Sequence, residues 1–344
     1  MSSLNNLLLP AVLFFALGFI ARLIKSDLRF PPDLAKILSI YLLMAIGLHG
    51  GYELSKADMM TAVNSIVWAL ILGFSLPIIG YLALVATRKV TPLDAAAIAA
   101  HYGSVSAGTF LTAIAYLDSI GVTYETYPLI MLAVMESPAI IVGLLLAAKA
   151  RQSMAARDAL VTPGGAVVLS PGDGYGEQSN HSFGGLLRDA FTNGSVVVLI
   201  GSMIIGAIST PAGMTKLFPF IDDIFMGVLC LFLFEMGMVA ARRIGDFRQV
   251  GLVLAAFGIV MPLVGGLIGA YVGFSILGFS VGGATLVAVL GASASYIAVP
   301  PAMRLAVPEA NPSYYLTLSL GITFPFNVIV GIPLYHSLAT AMAA

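Results

Sequence analysis

Two short runs carry most of the chemistry that this sequence offers inside its apolar stretches. One is HYGSVSAGTF at 101–110; the other is GASASY at 291–296. Each sets two serines two residues apart, Ser104 and Ser106 in the first, Ser293 and Ser295 in the second. A serine hydroxyl donates one hydrogen bond and can accept two. The surrounding glycines and serines weaken a helix. Inside a bilayer, unwound backbone is tolerated only where it lines a cavity or is buried in protein. A helix that restarts after such a break begins with free N–H groups and about half a unit of positive charge. Two such ends meeting at mid-depth give about one unit of positive potential without Lys or Arg. That suits a small monovalent anion; an anion of higher charge would usually want an Arg fork. Bicarbonate both donates and accepts, so it matches four serine hydroxyls well. Nitrate, formate or acetate match the charge nearly as well. Close helix packing also produces Gly-Ala-Ser runs, and it is the pairing of the two runs that points to a site.

Other polar residues lie deep in apolar surroundings. Glu136 in VMESPAI and Glu235 in LFEMGM are the most deeply placed acids. Such residues cost about 2.5–3.5 kcal/mol to insert and are functional candidates by default. Anion uptake against an inside-negative potential needs a driving cation, so sodium is expected. Hard cations take carboxylate, hydroxyl and carbonyl oxygens, and Glu136, Glu235, Thr109, Thr323 and Asn327 are the candidate sodium ligands. The alternative for each is a helix-to-helix hydrogen bond. His49 and His101 read as capped or interfacial histidines, and Cys230, in VLCLFLF, as a packing residue.

These residues need elements to position them. Of 344 residues, 59% are hydrophobic and 10% charged, with mean hydropathy +0.99. Soluble domains carry about 25% charged residues, so this composition belongs to an integral membrane protein. A net charge of −1 argues against nucleic acid as a partner. At about 20 apolar residues per helix, ten spans are expected: 7–24, 34–54, 62–87, 93–117, 128–149, 193–210, 220–241, 249–274, 281–306 and 314–338. The N-terminal run has its charges after the apolar stretch, which reads as a first span rather than a cleaved signal. Residues 150–190 are rich in Gly, Pro and Ser and read as a linker between membrane halves 1–149 and 191–344. Its GDGYGE piece lacks the Lys and Ser/Thr of a phosphate loop.

Charge sets an expected orientation. Arg22, Lys25, Arg29, Lys36, Arg88, Lys89, Lys149, Arg151, Arg157, Arg188, Arg242, Arg243, Arg248 and Arg304 all fall on one side of a ten-span arrangement. Only Lys56 and Lys216, of sixteen basic residues, fall on the other. That places both termini outside and the linker in the cytosol. The halves also echo each other. LPIIGYL at 76–82 faces MPLVGGL at 261–267, SPAIIVG at 137–143 faces FPFNVIVG at 324–331, Gly18 faces Gly206, and GSVS faces ASAS. Five spans per half is odd, so the second half enters from the opposite face. That is an inverted repeat, the usual build of secondary transporters. Pro77, Pro138, Pro262 and Pro325 are expected to kink spans.

HYGSVSAGTF, VMESPAIIVG, LFEMGMVAARR and GASASYIAVPPAMRLAVPEANPSYYLTLSLGITFPFN together resemble the sodium-dependent bicarbonate transporter family of cyanobacteria, the SbtA type. The resemblance covers both membrane halves. It implies an all-α integral membrane fold of ten helices in two inverted five-helix repeats, elevator-type and like the bile-acid symporters, with two crossing broken helices. In that fold a unit of spans 3–5 and 8–10 moves past the remaining spans. It further implies homotrimers in the bacterial plasma (inner) membrane, in contact with lipid, taking up bicarbonate with sodium at high affinity. The family's anion site carries over to Gly103, Ser104, Val105, Ser106 and Ala107, and to Ala292, Ser293, Ala294, Ser295 and Tyr296. A trimeric PII-like regulator, sensitive to adenine nucleotides, docks on the family's cytosolic face; the linker here is short and Gly-rich. Apart from sodium as coupling ion, no cofactor is expected. A sodium/proton antiporter is the alternative, but neither break holds the acid it would need. Symport of another small monovalent anion on the same fold remains open. A receptor or channel explains duplicated broken helices less well. An enzyme is not expected, because no metal triad, nucleophile elbow or cofactor loop is found.

Overall fold

The computed structural model describes residues 10–28, 30–31, 34–55, 58–161, 194–243, 247–297 and 299–344. Arg29, Lys56, Arg188 and the linker from 162 onward lie outside the described residues. All regular structure among the described residues is helical. In chain order the helices are α1 (Pro10–Leu23), α2 (Leu34–Leu54), α3 (Met59–Thr87), α4 (Pro92–Gly103), α5 (Ala107–Ser119) and α6 (Tyr127–Val161). They continue with α7 (Gly194–Ile208), α8 (Pro211–Phe218), α9 (Phe225–Arg242), α10 (Phe247–Tyr271), α11 (Val281–Ala292), α12 (Val299–Ala306) and α13 (Pro312–Ala343).

Six stretches among the described residues are long and apolar enough to cross a membrane: Lys36–Leu54, Met59–Thr87, Tyr127–Met154, Pro211–Arg242, Val250–Ile276 and Pro312–Ala343. The chain is a multi-pass helical membrane protein. The expected spans 93–117 and 281–306 are both interrupted. Helix stops at Gly103 and resumes at Ala107; it stops again at Ala292 and resumes at Val299. Two boundaries differ from expectation. Helix α6 runs on to Val161 instead of ending near 149, because RQSMAARDALV is rich in good helix formers. The seventh span begins early, with α8 leading through a wide π turn (Pro219–Asp223) into α9.

Helix ends follow from local chemistry. Asp58 caps α3, its carboxylate accepting from the Thr61 amide at 2.8 Å and hydroxyl at 2.9 Å. Arg88 closes the same helix in the left-handed conformation. In α4, Thr91 caps the Asp94 amide while its hydroxyl donates to the Asp94 carboxylate at 2.7 Å, and Pro92 stands in the first turn. The other Asp94 oxygen accepts from the Asn311 amide at 2.8 Å, so the loop before α13 anchors the start of α4. The loop before α6 anchors α11 in the same way, with Glu125 accepting from the Ser280 amide at 2.8 Å and hydroxyl at 3.0 Å. Each broken span is therefore held at its start by the other half of the chain.

The packing shows the same exchange. Helix α1 lies on α9 and α2 on α7; α3, α4 and α6 pack together, as do α10, α11 and α13. Backbones touch at glycines, among them two in each of the α1–α9 and α2–α7 crossings. A Cβ at Gly18 would run into the Phe234 carbonyl, and one at Gly237 into the Phe15 carbonyl. Gly206 is closed in by the Leu48 carbonyl, and Gly51 by the Met203 carbonyl. Small residues permit this approach where no hydrophobic force distinguishes helix from lipid.

Candidate functional site at two helix breaks

The first break has extended backbone at Ser104 and Ser106. Ser106 caps α5: its Oγ accepts from the Thr109 amide at 3.1 Å and from the Thr109 hydroxyl at 2.9 Å. Both lone pairs are thus engaged, and the hydroxyl proton is what Ser106 has left to offer. The Ala107 and Gly108 amides, in the first turn of α5, have no partner within the helix. Ser104 points elsewhere, donating to the Glu136 carbonyl on α6 at 3.4 Å.

The second break meets the first directly. The Ser295 amide donates to the His101 carbonyl, in the last turn of α4, at 2.8 Å. Ser293 turns back on its own helix and donates to the Val289 carbonyl. The Tyr296 ring packs edge-on against Phe324 with centroids 5.3 Å apart. Its hydroxyl ends against Gly108, where any side chain would displace it. All four serines are buried, at 1–2% exposure.

Between the breaks lies a partly enclosed cavity of about 20 Å³. Val105, Ser106 and Ala107 line it from one side, and Ser295, Tyr296 and Ile297 from the other. Glu136 supplies a carboxylate; Ser39 and Leu43 of α2, Leu132 of α6 and Leu199 of α7 complete the wall. By the rule that a water needs about 10–15 Å³, this space takes a water or a bare ion, and is tight for a larger solute. Two wider vestibules lie toward opposite ends of α9. One, of about 900 Å³, includes Phe225 with Glu53, Asp118, Glu125 and Asp222. The other, of about 600 Å³, includes Arg243 and Arg304. His49 pairs with Asp222 at 3.4 Å in the acidic one.

The residues singled out from sequence divide into two groups. Val105, Ser106, Ala107, Ser295, Tyr296 and Glu136 come together at the cavity. Gly103, Ser104, Ala292, Ser293 and Ala294 frame the breaks without lining it. Gly103 lies against Pro77 of α3, and the Ala292 carbonyl accepts from Asn327 at 2.8 Å. Asn327 also accepts from the Tyr335 hydroxyl at 3.0 Å, so both ends of its amide are engaged. Thr323 donates to the Gly258 carbonyl at 2.6 Å, which makes Tyr102 the donor in the 2.6 Å contact between their hydroxyls. Thr109 is spent on Ser106. Glu235 is buried on α9, with one carboxylate oxygen lacking a hydrogen-bond partner among the described residues.

Sequence reasoning did not single out Ser39, whose only signal is a lone serine in ILSIYLL, nor Ile297. It also missed a chain of contacts behind the breaks. The Arg304 charge acts on Tyr315, whose ring stacks on His101 at 4.4 Å, and the His101 carbonyl holds Ser295. His101 Nδ1 bonds the Ala97 carbonyl at 2.7 Å, the capped role expected of it.

This arrangement presents hydroxyl and amide donors to a buried space, with a single carboxylate beside them and no basic side chain in the lining. It can hold an anion through donors and a cation through oxygens, and it carries no nucleophile-and-base pairing. A model of the Na⁺-dependent bicarbonate transporter superfamily matches residues 10–340. The chain belongs to that superfamily. It is a membrane transporter rather than an enzyme, and the family's bicarbonate and sodium are its implied substrates. Among curated proteins, none matches the chain.

Proposed function

We propose that this protein is a sodium-coupled bicarbonate symporter working by alternating access, with the anion held where the two broken helices cross. The observation that carries the proposal is the shared cavity, where Ser106 and Ser295, one from each break, line the same partly enclosed space beside Glu136. Ser106 and Ser295 donate to the anion through side chains. Gly103, Ser104, Val105, Ala107, Ala292, Ser293, Ala294 and Tyr296 contribute backbone and shape. Glu136 is the leading sodium ligand because it reaches the cavity, and the unpartnered oxygen of Glu235 supports it as a second. Thr109, Thr323 and Asn327 set these groups in place through their hydrogen bonds.

The halves 1–149 and 191–344 act as inverted five-span repeats in this reading. The reciprocal anchors Asp94–Asn311 and Glu125–Ser280, and the paired crossings α1–α9 and α2–α7, support that symmetry. The cavity wall joins the breaks to α2 and α7, as an elevator requires of a carrier unit sliding on a scaffold. The family resemblance extends the proposal to homotrimers in a bacterial inner membrane, termini outside, with a PII-like regulator at the cytosolic face.

One observation favours a second reading. Glu136 brings to the cavity the acid that the breaks themselves lack, and a sodium/proton antiporter would use it. Proteoliposomes separate the two. Symport requires sodium-gradient-driven uptake of labelled bicarbonate, with nitrate, acetate and sulfate competing weakly. Sodium-driven proton exchange in bicarbonate-free buffer, with no bicarbonate uptake, would replace symport by antiport.

A further inference from the structure

Buried hydroxyls elsewhere in these helices turn back to the carbonyl four residues earlier, as Ser65, Thr112, Thr285 and Ser319 do at 2.7–2.8 Å. Ser39 of α2 does not. It is 4% exposed, has no hydrogen-bond partner among the described residues, and lines the central cavity. A buried hydroxyl left unbonded is costly, and a polar occupant of the cavity would remove that cost. Helix α2 packs mainly on α7 and α9 and only lightly on α5 and α6. Ser39 therefore enters the site from outside the helices that carry the breaks and Glu136. The repeat does not supply it twice. Gly51 and Gly237 hold equivalent places in the two crossings, and twelve residues before each stand Ser39 and Phe225. Pro138 and Pro325 are matched likewise, and two residues before each stand Glu136 and Thr323. Phe225 has no oxygen to offer, and the Thr323 hydroxyl is spent on the Gly258 carbonyl and Tyr102. A free hydroxyl facing a carboxylate is thus a property of one half only.

Glu136 is the one charged side chain in the cavity lining among the described residues. A lone carboxylate beside free hydroxyl oxygens is a donor set for a hard cation. Of the two transported species, a bare sodium ion is the one that fits about 20 Å³ as the cavity stands. Ser106 cannot join the set, because both of its lone pairs accept from Thr109. Ser39 can, since both of its lone pairs are open. We propose that Ser39 is a ligand of the coupling sodium, shared with Glu136, so that one ion ties α2 to the unit that carries the breaks. This rests on the reading of Glu136 as the leading sodium ligand. The Ser295 hydroxyl, facing the same space, supplies a further oxygen while its proton stays available to the anion. The tie has a mechanical consequence in the elevator reading. Helix α2 stays with the scaffold and Glu136 travels, so the carrier gives up the Ser39 contact whenever it leaves this register. Sodium affinity then differs between the two positions of the carrier, although Glu136 and the breaks move together unchanged.

Thermal unfolding of the full-length protein in nanodiscs reads ion binding without relying on transport, because a ligand of the folded state raises the melting temperature. Sodium chloride is titrated at saturating bicarbonate, with choline chloride holding ionic strength constant; bicarbonate is then titrated at saturating sodium. The variants are Ser39→Cys, Ser39→Thr and Glu136→Gln. Cysteine is close to serine in shape but offers a soft sulfur in place of a hard oxygen; threonine keeps the oxygen. Ser39→Cys should raise the sodium midpoint by about fivefold or more, as loss of one oxygen ligand implies, and leave the bicarbonate midpoint within about twofold. Ser39→Thr should restore the parent's sodium midpoint, which a purely structural serine would not require. Ser39→Ala repeats the test if the cysteine variant is not monodisperse. A parental sodium midpoint in Ser39→Cys, with Glu136→Gln raised, overturns the Ser39 ligand and leaves Glu136 in place. A raised bicarbonate midpoint with an unchanged sodium midpoint also overturns it, and makes Ser39 an anion donor. No sodium response in the parent, or unchanged sodium midpoints in both Ser39→Cys and Glu136→Gln, overturns both assignments.

Discussion

Replacing Ser106 separates a structural from a substrate role, because the two are carried by different atoms of one hydroxyl. Its lone pairs cap α5 through the Thr109 amide and hydroxyl, at 3.1 and 2.9 Å; its proton is left for the cavity that Ser106 lines. Ser106→Ala removes both. Loss of the cap costs about 1 kcal/mol of helix stability, whereas glycine at the same position costs only a few tenths. Loss of a hydrogen bond to a charged partner costs about 1.5–3 kcal/mol, or about 10- to 150-fold in affinity at 1.36 kcal/mol per decade. Both Ser106→Ala and Ser106→Gly should therefore raise the half-saturating bicarbonate concentration by at least about tenfold. Only the alanine variant should also lower the melting temperature appreciably. Ser293→Ala is the internal control, since that hydroxyl bonds the Val289 carbonyl of its own helix; it should stay within about threefold. The assay is initial uptake of ¹⁴C-bicarbonate at saturating sodium in proteoliposomes, normalised to inserted protein. A Ser106→Gly variant within about threefold of the parent would show that the hydroxyl proton does not contact the anion.

Three further outcomes follow from the same geometry. Glu136→Gln removes the carboxylate from the cavity wall and should raise the sodium concentration for half-maximal uptake by about tenfold or more; an unchanged sodium curve removes Glu136 from the coupling site. Gly18→Ala and Gly206→Ala each press a methyl group on a facing carbonyl, of Phe234 and of Leu48, and each should cost about 1–3 kcal/mol in thermal unfolding; marked inequality between them would count against structural equivalence of the two crossings. Arg151 donates to the Glu309 carboxylate at 2.9 and 2.7 Å, and holds that carboxyl below its ordinary range. A depressed carboxylate stabilises the fold above its unfolded value and loses that contribution as pH falls through the folded one. The pair is 41% and 47% exposed, so Glu309→Gln should cost under about 1 kcal/mol at neutral pH and flatten the acid limb of a stability profile; an unaltered acid limb would remove the pair from the pH response.

How far the site was legible depended on whether residue type alone decides the outcome. Gly-Ser runs in an apolar span have few roles, and both breaks fall where GSVS and ASAS stand. Gly18 and Gly206 were matched as repeat positions, and the structure adds their role at close crossings, where lipid-embedded helices favour small residues. Direction was not legible. Ser104 and Ser106 are two residues apart and alike in type, yet one bonds the α6 backbone and the other caps α5 and lines the cavity. The backbone torsions of the break decide between them, and no periodicity describes a break. Helix α13 shows a second limit. Its turns at Thr317–Thr323 and Asn327–Gly331 are widened to π geometry, and each widened turn shifts the phase of every later side chain. A regular 3.6-residue repeat drawn from Pro312 therefore misjudges which face Thr323 and Asn327 present. Their side chains go to carbonyls of α10 and α11 rather than to the cavity. Asn327, at the start of the second widened turn, donates to the Ala292 carbonyl at the break in its neighbour. The Asn327 side chain thus ties α13 to the break that follows Ala292, across 35 residues of sequence.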